Sequence, residues 1–372
     1  MTMVVAQHCG LLPFGWTGVW LFYVISGFVI SRNFIQERFA FGAEPPNHYF
    51  SFVVRRIFRI FPPYFAYLAL CFVVVGILSF PPQFHELPYL GTFVFNWRMM
   101  FNPEPTFAAL GHLWTISVEE QFYIFFPIVI LLLKREHIVV ALAIIVAGAP
   151  MVRALISVEM AALGWDPGRI AFSVYASSFG QFDAFAFGAL LALFEGDIRR
   201  HPRIAARIAW LAIVVGAAYA CCYVGINMMN GARGLEAIRN VISGILYGEK
   251  REVFVYTVMD LCAVAILAGA IAGWKAFRLI EHPALVAVGQ ASYGGYLIHA
   301  LILLLIGTAM GGEVPHAPVL YRIPLFVLVW CIAVAISRLS YTTYERRFIR
   351  YGHRISQRLL QRTERKQVGV TP

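Results

Sequence analysis

GHLWTISVEEQFYIFFP, residues 111–127, opens a run that stays largely apolar to Leu133 and carries two adjacent carboxylates, Glu119 and Glu120. A bilayer span needs about 20 mostly apolar residues, and residues 113–133 supply them. An ionisable group in the middle of such a helix costs roughly 2.5–3.5 kcal/mol even on insertion scales, and groups kept at that cost tend to line substrate paths. Successive helical residues point about 100° apart, so only one of Glu119 and Glu120 faces a given site. Two readings stay open: a functional carboxylate inside a bundle, or a hydrated pair near the headgroups.

Eight more runs of this kind lie at 14–33, 60–79, 138–157, 172–194, 208–229, 253–273, 284–306 and 323–344. The expected fold is all-α, a polytopic membrane helix bundle with nine full spans. Composition points the same way. The 372 residues are 60% hydrophobic and 13% charged, against roughly 25% charged in soluble domains. A soluble globule cannot hide so much apolar side chain, which excludes a cytosolic enzyme, a disordered chain and a secreted disulfide scaffold. The six cysteines lie mostly in apolar runs without CxxC spacing and read as buried small hydrophobes.

Residues 1–9, MTMVVAQHC, are apolar but short. Nine helical residues cover only about 14 Å, against a hydrocarbon core of about 30 Å. They read as the second half of a helix, a partial first helix added to the nine. No internal repeat, low-complexity segment or long hydrophilic stretch interrupts the chain. The expected organisation is one membrane domain over 1–345 and a basic tail over 346–372.

Basic residues set the orientation. Alternate loops at 32–59, 134–137, 195–207 and 274–283, with the tail, hold 21 of the 30 Lys and Arg, and the opposite loops hold eight. The positive-inside rule puts the tail in the cytoplasm and residues 11–13 outside. The net charge of +10 is spread between apolar runs, so it reads as a membrane-surface signal and not as a nucleic-acid footprint. In the tail, Arg347, Arg350, Arg354, Arg358 and Arg362 recur at spacings of three and four, the pattern of a basic amphipathic helix on the inner leaflet.

Four further stretches carry chemistry. HYFSFVVRRIFRIFPPYF (48–65) places Arg56 and Arg59 three apart on one helix face. Paired guanidiniums grip phosphate oxygens, and they also satisfy the topology rule. FGWTGVWLFYVISGFVISRN (14–33) has Gly15, Gly18, Ser26 and Gly27, small residues that let helices approach closely. His8 precedes that span by six residues; an imidazole near neutral pKa is the ordinary general base, and a histidine at a helix end is also a common structural group. VGQASYGGYLIHA (288–300) sets Ser292, Tyr296 and His299 on one stripe, which either lines a cavity or bonds neighbouring helices. Walker, GxSxG and HExxH motifs and metal-ligand spacings are absent, which argues against an ATP-driven pump, an α/β-hydrolase and a zinc enzyme.

In order along the chain, GWTGVWLFYVISGFVIS, RRIFRIFPPYF, GHLWTISVEEQFYIFFP, GQFDAFAFGALLAL, ASYGGYLIH and YTTYERRFIR resemble the acyltransferase 3 family of integral-membrane O-acyltransferases. The resemblance covers nearly the whole chain. It implies ten helices, an acyl-CoA donor (acetyl-CoA above all) on the cytoplasmic side, no metal, and a glycan or lipid-linked saccharide acceptor at a bacterial inner membrane. It implies that His8 is the catalytic histidine and that Arg56 and Arg59 are the R-x-x-R pair holding coenzyme A phosphates. Glu119 and Tyr123 match the VE-x-QFY stretch, Asp183 an acidic position before GALLA, and Ser292, Tyr296 and His299 the late S-Y-x-x-Y-L-I-H stretch. The expected mechanism has His8 as base or acyl relay with Glu119 orienting its imidazole, and Tyr123, Asp183, Ser292, Tyr296 and His299 along the substrate path.

Three departures stand out. The family's arginine eleven residues before the histidine would precede Met1, so a late start or a truncated, inactive product is expected. Trp20 stands where an aspartate is common, and Arg347 where a proline is usual. Against the acyltransferase stand a transporter or flippase using the carboxylates as proton relays, and a catalytically inactive relative.

Overall fold

The short first helix forms as expected: α1 (Thr2–His8) ends before Gly10, whose left-handed φ of +71° reverses the chain toward α2 (Thr17–Phe41). This computed structural model describes residues 1–41, 45–80, 84–102, 106–239, 241–242, 248–312 and 314–367, with side chains left out at 35–41, 45–47, 135, 239 and 361–367. The other long elements are α3 (Pro45–Ile77), α4 (Trp114–Leu132), α5 (Arg135–Ala162), α6 (Pro167–Ala176), α7 (Phe182–Leu193), α8 (Arg203–Met229), α9 (Arg251–Ile271), α10 (Ser292–Met310), α11 (Val319–Ser340) and α12 (Arg346–Gln367). Among the described residues there is no strand.

Seven helices among the described residues are long and apolar enough to cross a membrane, from His48–Ile77 to Val319–Leu360. Their outward faces are apolar: Leu132, Met229 and Leu320 are each more than three-quarters exposed, as a lipid-facing surface requires. Cys221, Cys222 and Cys331 are exposed too, and only Cys9 and Cys71 are buried. A small apolar side chain suits lipid as well as a core, so burial of all six does not follow.

The run at 172–194 is not one span. It breaks into α6 and α7 across residues 177–181. The backbone groups freed by the break are paired with protein: Asn96 Nδ2 donates to the Ala176 carbonyl (3.0 Å), Arg153 to the Gly180 carbonyl (2.8 Å), and the Gly180 N–H to Ser177 Oγ (3.0 Å). Broken helices survive at membrane depth only when protein satisfies them in this way. The run at 284–306 likewise divides into Pro283–Gln290 and α10.

The small residues of α2 do pack. A Cβ on Gly27 would run into the Phe185 backbone, and one on Gly188 of α7 into the Val24 backbone, so α2 and α7 meet main chain to main chain. The tail helix is docked and does not only lie on a leaflet. Ser51 and Ser356 share a 2.6 Å hydroxyl contact, Arg55 donates to both at 2.8 Å, and Gly352 sits under Phe58. Arg347, Arg350, Arg354 and Arg358 remain exposed; the side chain of Arg362 lies outside the described residues.

Candidate active site

Helices α3, α4 and α10 carry the polar residues of the bundle, and three contacts set their levels. The Tyr293 hydroxyl donates to the Ile60 carbonyl (3.3 Å), the Tyr67 ring lies 5.9 Å from that of His112, and the Thr115 and Tyr296 hydroxyls are 2.7 Å apart. The polar groups then fall into two tiers.

The first tier is three imidazoles. The His299 ring centre lies 5.4 Å from that of His8 and 4.9 Å from that of His112. Tyr296 is packed against both His112 and His299, and its hydroxyl donates to the His112 carbonyl at 3.3 Å. His8 and His112 line a cavity of about 510 Å³ whose walls are mostly apolar, from Phe80, Leu303, Leu304 and Val314. His8 is exposed into it, whereas His299 is fully buried.

The second tier lies two helical turns away. The steps from His112, in the single turn that leads into α4, to Glu119, and from His299 to Ser292 on α10, are each seven residues, or about 10 Å. Here Ser26 Oγ donates to Glu119 Oε1 (3.4 Å) and the Tyr123 hydroxyl to Ser26 Oγ (3.4 Å). The Arg56 guanidinium sits over the Tyr123 ring at 4.7 Å and the Phe52 ring at 5.4 Å, a cation–π arrangement. Neither Arg56 nor Arg59 forms a hydrogen bond or ion pair among the described residues, and Glu119 acts on both only through its field. Arg55, the neighbour that spacing did not separate from them, is committed to the tail. Between the tiers, a narrow cavity of about 60 Å³ is lined by Thr115, Glu119, Ser292 and Tyr296 among others.

The structure therefore brings together His8, Tyr296 and His299 in one tier, and Glu119, Tyr123, Arg56 and Arg59 in the other. It does not bring Glu119 to His8: the carboxylate's hydrogen-bond partner is Ser26, and the ring beside His8 is His299. Asp183 stands apart from both tiers. It pairs with Arg153 at 3.0 Å with both side chains fully buried, accepts from Thr257 Oγ1 (3.2 Å), and adjoins Asp260. Arg153, which reads as a loop residue in a count of basic loops, lies inside α5. His112 escaped a search for ionisable groups inside spans because it precedes its span; the signal was its place seven residues before Glu119. Trp20 sits in a cluster of aromatic rings, stacks on Tyr256 (4.9 Å, 15°) and donates to Gln181 Oε1 (3.2 Å).

With that geometry in hand, comparison with known proteins is decisive at one level. The family model for an acyltransferase domain, acyltransferase 3, matches residues 1–338. The chain belongs to this family. It carries the family's acyltransferase domain and is a multi-pass helical membrane protein. It is 26% identical over 368 residues to the putative peptidoglycan O-acetyltransferase YrhL of Bacillus subtilis (strain 168), covering 91% of this chain and 51% of that protein. It is 30% identical over 127 residues to a putative O-acetyltransferase of Staphylococcus aureus (strain COL), covering 32% of this chain and 20% of that one. It is 30% identical over 151 residues to nodulation protein 10 of Rhizobium leguminosarum bv. viciae, covering 37% and 39%. The chain thus spans about half the length of the Bacillus relative. No solved structure matches it.

Proposed function

We propose that this family member moves an acetyl group from acetyl-CoA, entering at the cytoplasmic face, to a hydroxyl of a cell-surface glycan or lipid-linked saccharide reached from the opposite face of a bacterial inner membrane. The observation that carries this reading is the pair of tiers. Two guanidiniums that form no ion pair among the described residues stand at one level, an imidazole open to a 510 Å³ cavity at the other, and a line of hydroxyls runs between them. Arg56 and Arg59 take the coenzyme phosphates by charge-assisted hydrogen bonds, and the thioester reaches past Glu119 and Tyr296 toward His8. His8 removes the proton of the acceptor hydroxyl. The oxygen attacks the thioester carbonyl, the C–S bond breaks as the C–O bond forms, and the proton passes to the leaving thiolate. Glu119, held by Ser26 beside the arginines, tunes the donor end and does not orient the imidazole. The docked tail helix is the cytoplasmic wall of that end.

The test is His8→Ala in the full chain, assayed by transfer of radiolabelled acetyl groups from acetyl-CoA into base-labile ester in membranes. Transfer is expected to vanish while acetyl-CoA is still bound. Retained ester formation removes the histidine from the chemistry, and proton-coupled solute uptake that ignores acetyl-CoA replaces the enzyme with a transporter.

A further inference from the structure

We propose that His299 is the positioning residue of His8: it accepts an N–H from His8 and so fixes which nitrogen of His8 presents its lone pair to the cavity. This rests on the assignment of His8 as base made above.

The argument starts from the Tyr296 carbonyl. His299 Nδ1 lies 2.5 Å from that oxygen. A carbonyl only accepts, so the hydrogen of this contact belongs to Nδ1, and the other ring nitrogen of a neutral imidazole is then a bare acceptor. His299 Nε2 is buried and has no partner. A buried acceptor left alone is costly, and nearly all such groups find a donor. The rings beside it are His8 and His112. Among the described residues no hydrogen bond joins the rings of His8 and His299 as they stand; at 5.4 Å between centres, a turn of the His8 ring can bring one of its nitrogens to about 3 Å from Nε2, the N–H···N range.

His8 is the better partner by position. It closes α1, and its ring opens on the cavity, where it can turn. The His112 ring is nearer, at 4.9 Å, and both its nitrogens are buried without a partner among the described residues, but it is enclosed and its main chain is fixed at the carbonyl by Thr115 and Tyr296, so the exposed His8 is the ring that can turn toward Nε2. The division of labour follows from exposure. His299, fully buried, cannot meet an acceptor molecule; His8 can, and the hydrogen bond made by one nitrogen of an imidazole sets which nitrogen is left as the base. In a catalytic triad a carboxylate holds it. Here Glu119 is two turns away, and the main-chain oxygen of Tyr296 does the anchoring through His299. Of the other neighbouring groups, Arg322 donates to the Gly10 carbonyl at 3.1 Å and offers no acceptor, and the Tyr296 hydroxyl is engaged with Thr115 and the His112 carbonyl.

The test compares His299→Phe with His299→Gln in the full chain, using radiolabelled acetyl-CoA and the endogenous acceptor of the same membranes. Gln places an amide oxygen near the position of Nε2; Phe keeps the ring and removes the acceptor. His299→Phe is expected to lower kcat roughly ten- to a hundredfold, the size of a misplaced reacting group, with KM for acetyl-CoA within about twofold of the parent. The Gln variant is expected to recover at least half of that loss on a logarithmic scale. If the Phe variant does not accumulate, His299→Asn takes its place: its shorter side chain stops near Nδ1, so it is expected to fall well below Gln. Undiminished kcat in the Phe variant, or equal rates in the Gln variant and its Phe or Asn counterpart, overturns the proposal. His8→Ala separates the levels. Full activity there removes the base and His299 with it; a silent His8→Ala beside a fully active His299→Phe removes only His299.

Discussion

Thr115 on α4 and Tyr296 on α10 join the two helices through hydroxyls 2.7 Å apart, at the level where the histidine tier gives way to the carboxylate tier. The same Tyr296 hydroxyl reaches the His112 carbonyl, and its ring packs on His112 and His299. One phenol thus sets the height of both imidazoles. Tyr296→Phe keeps the ring and removes the hydroxyl. A net loss of about 1 kcal/mol is expected for the missing hydrogen bond, seen as a lower Tm in detergent. Transfer should fall by roughly tenfold as the imidazoles lose their register, with acetyl-CoA affinity unchanged. An unaltered Tm together with an unaltered rate would detach this tyrosine from the site.

Arg56 and Arg59 differ from Arg32 and Arg55 of the same loop because, among the described residues, nothing pairs with them. Arg55 holds Ser51 and Ser356, and Arg32 pairs with Glu195 at 2.8 Å. Arg59→Ala and Arg56→Ala should each remove a charge-assisted contact worth roughly 1.5–3 kcal/mol, weakening acetyl-CoA binding about ten- to a hundredfold. The salt dependence of binding should become shallower in both. Lysine replacements are expected to fall between, since an ammonium keeps the charge without the planar fork. Titration calorimetry on the purified full chain, repeated at two ionic strengths, decides it; wild-type affinity and salt response in the alanine variants would return both residues to a topological role.

Much of this architecture is legible in the sequence because membrane burial leaves a blunt signal: long apolar runs, small residues where α2 meets α7, a basic stripe in the tail. Both arginines, His8, Glu119 and the Tyr296–His299 stripe could be picked out for the same reason, as polar groups in apolar surroundings. Pairing between distant helices could not. The spacing within GHLWTISVEEQFY says that Glu119 is two turns from His112; it does not say which of them lies beside His8. Asp183 illustrates the cost. An acidic residue in an apolar run looks the same whether it faces a path or a buried arginine, and its partner Arg153 is 30 residues away in another helix. The break at 177–181 was hidden because its backbone groups are satisfied by Asn96 and Arg153, residues no local pattern connects to it.

That buried pair gives the third prediction. Asp183→Asn leaves Arg153 charged and enclosed without the carboxylate it pairs with, and breaking a buried ion pair in this way costs roughly 3–5 kcal/mol. The variant should accumulate poorly and melt early. The double variant Arg153→Met with Asp183→Leu removes both charges and should recover most of the stability, because replacing such a pair with apolar groups is often near neutral. Thermal melts of the three proteins in one detergent test it. A single variant as stable as the parent would mean that the ion pair contributes little and that Asp183 is free for a role in transport of substrate or protons.

A close main-chain approach between α2 and α7 supplies the last. Gly188 of α7 faces the Val24 carbonyl and the Phe28 amide of α2 so closely that a single Cβ has no room, and the opposing atoms are backbone, which cannot rotate away. Gly188→Ala should force the helices apart and cost roughly 1–3 kcal/mol, the range for overpacking. Gly148 of α5 is the control, since a Cβ there meets nothing within 4 Å. Gly148→Ala should be neutral or slightly stabilising, alanine being the better helix former by about 1 kcal/mol at exposed positions. Because Ser26, the partner of Glu119, sits on α2 between the two contact points, displacement of α2 should also weaken acetyl-CoA transfer in the Gly188 variant while the Gly148 variant stays at the parent rate. Equal melting temperatures for the two alanine variants would show that α2 and α7 are not locked together by their glycines.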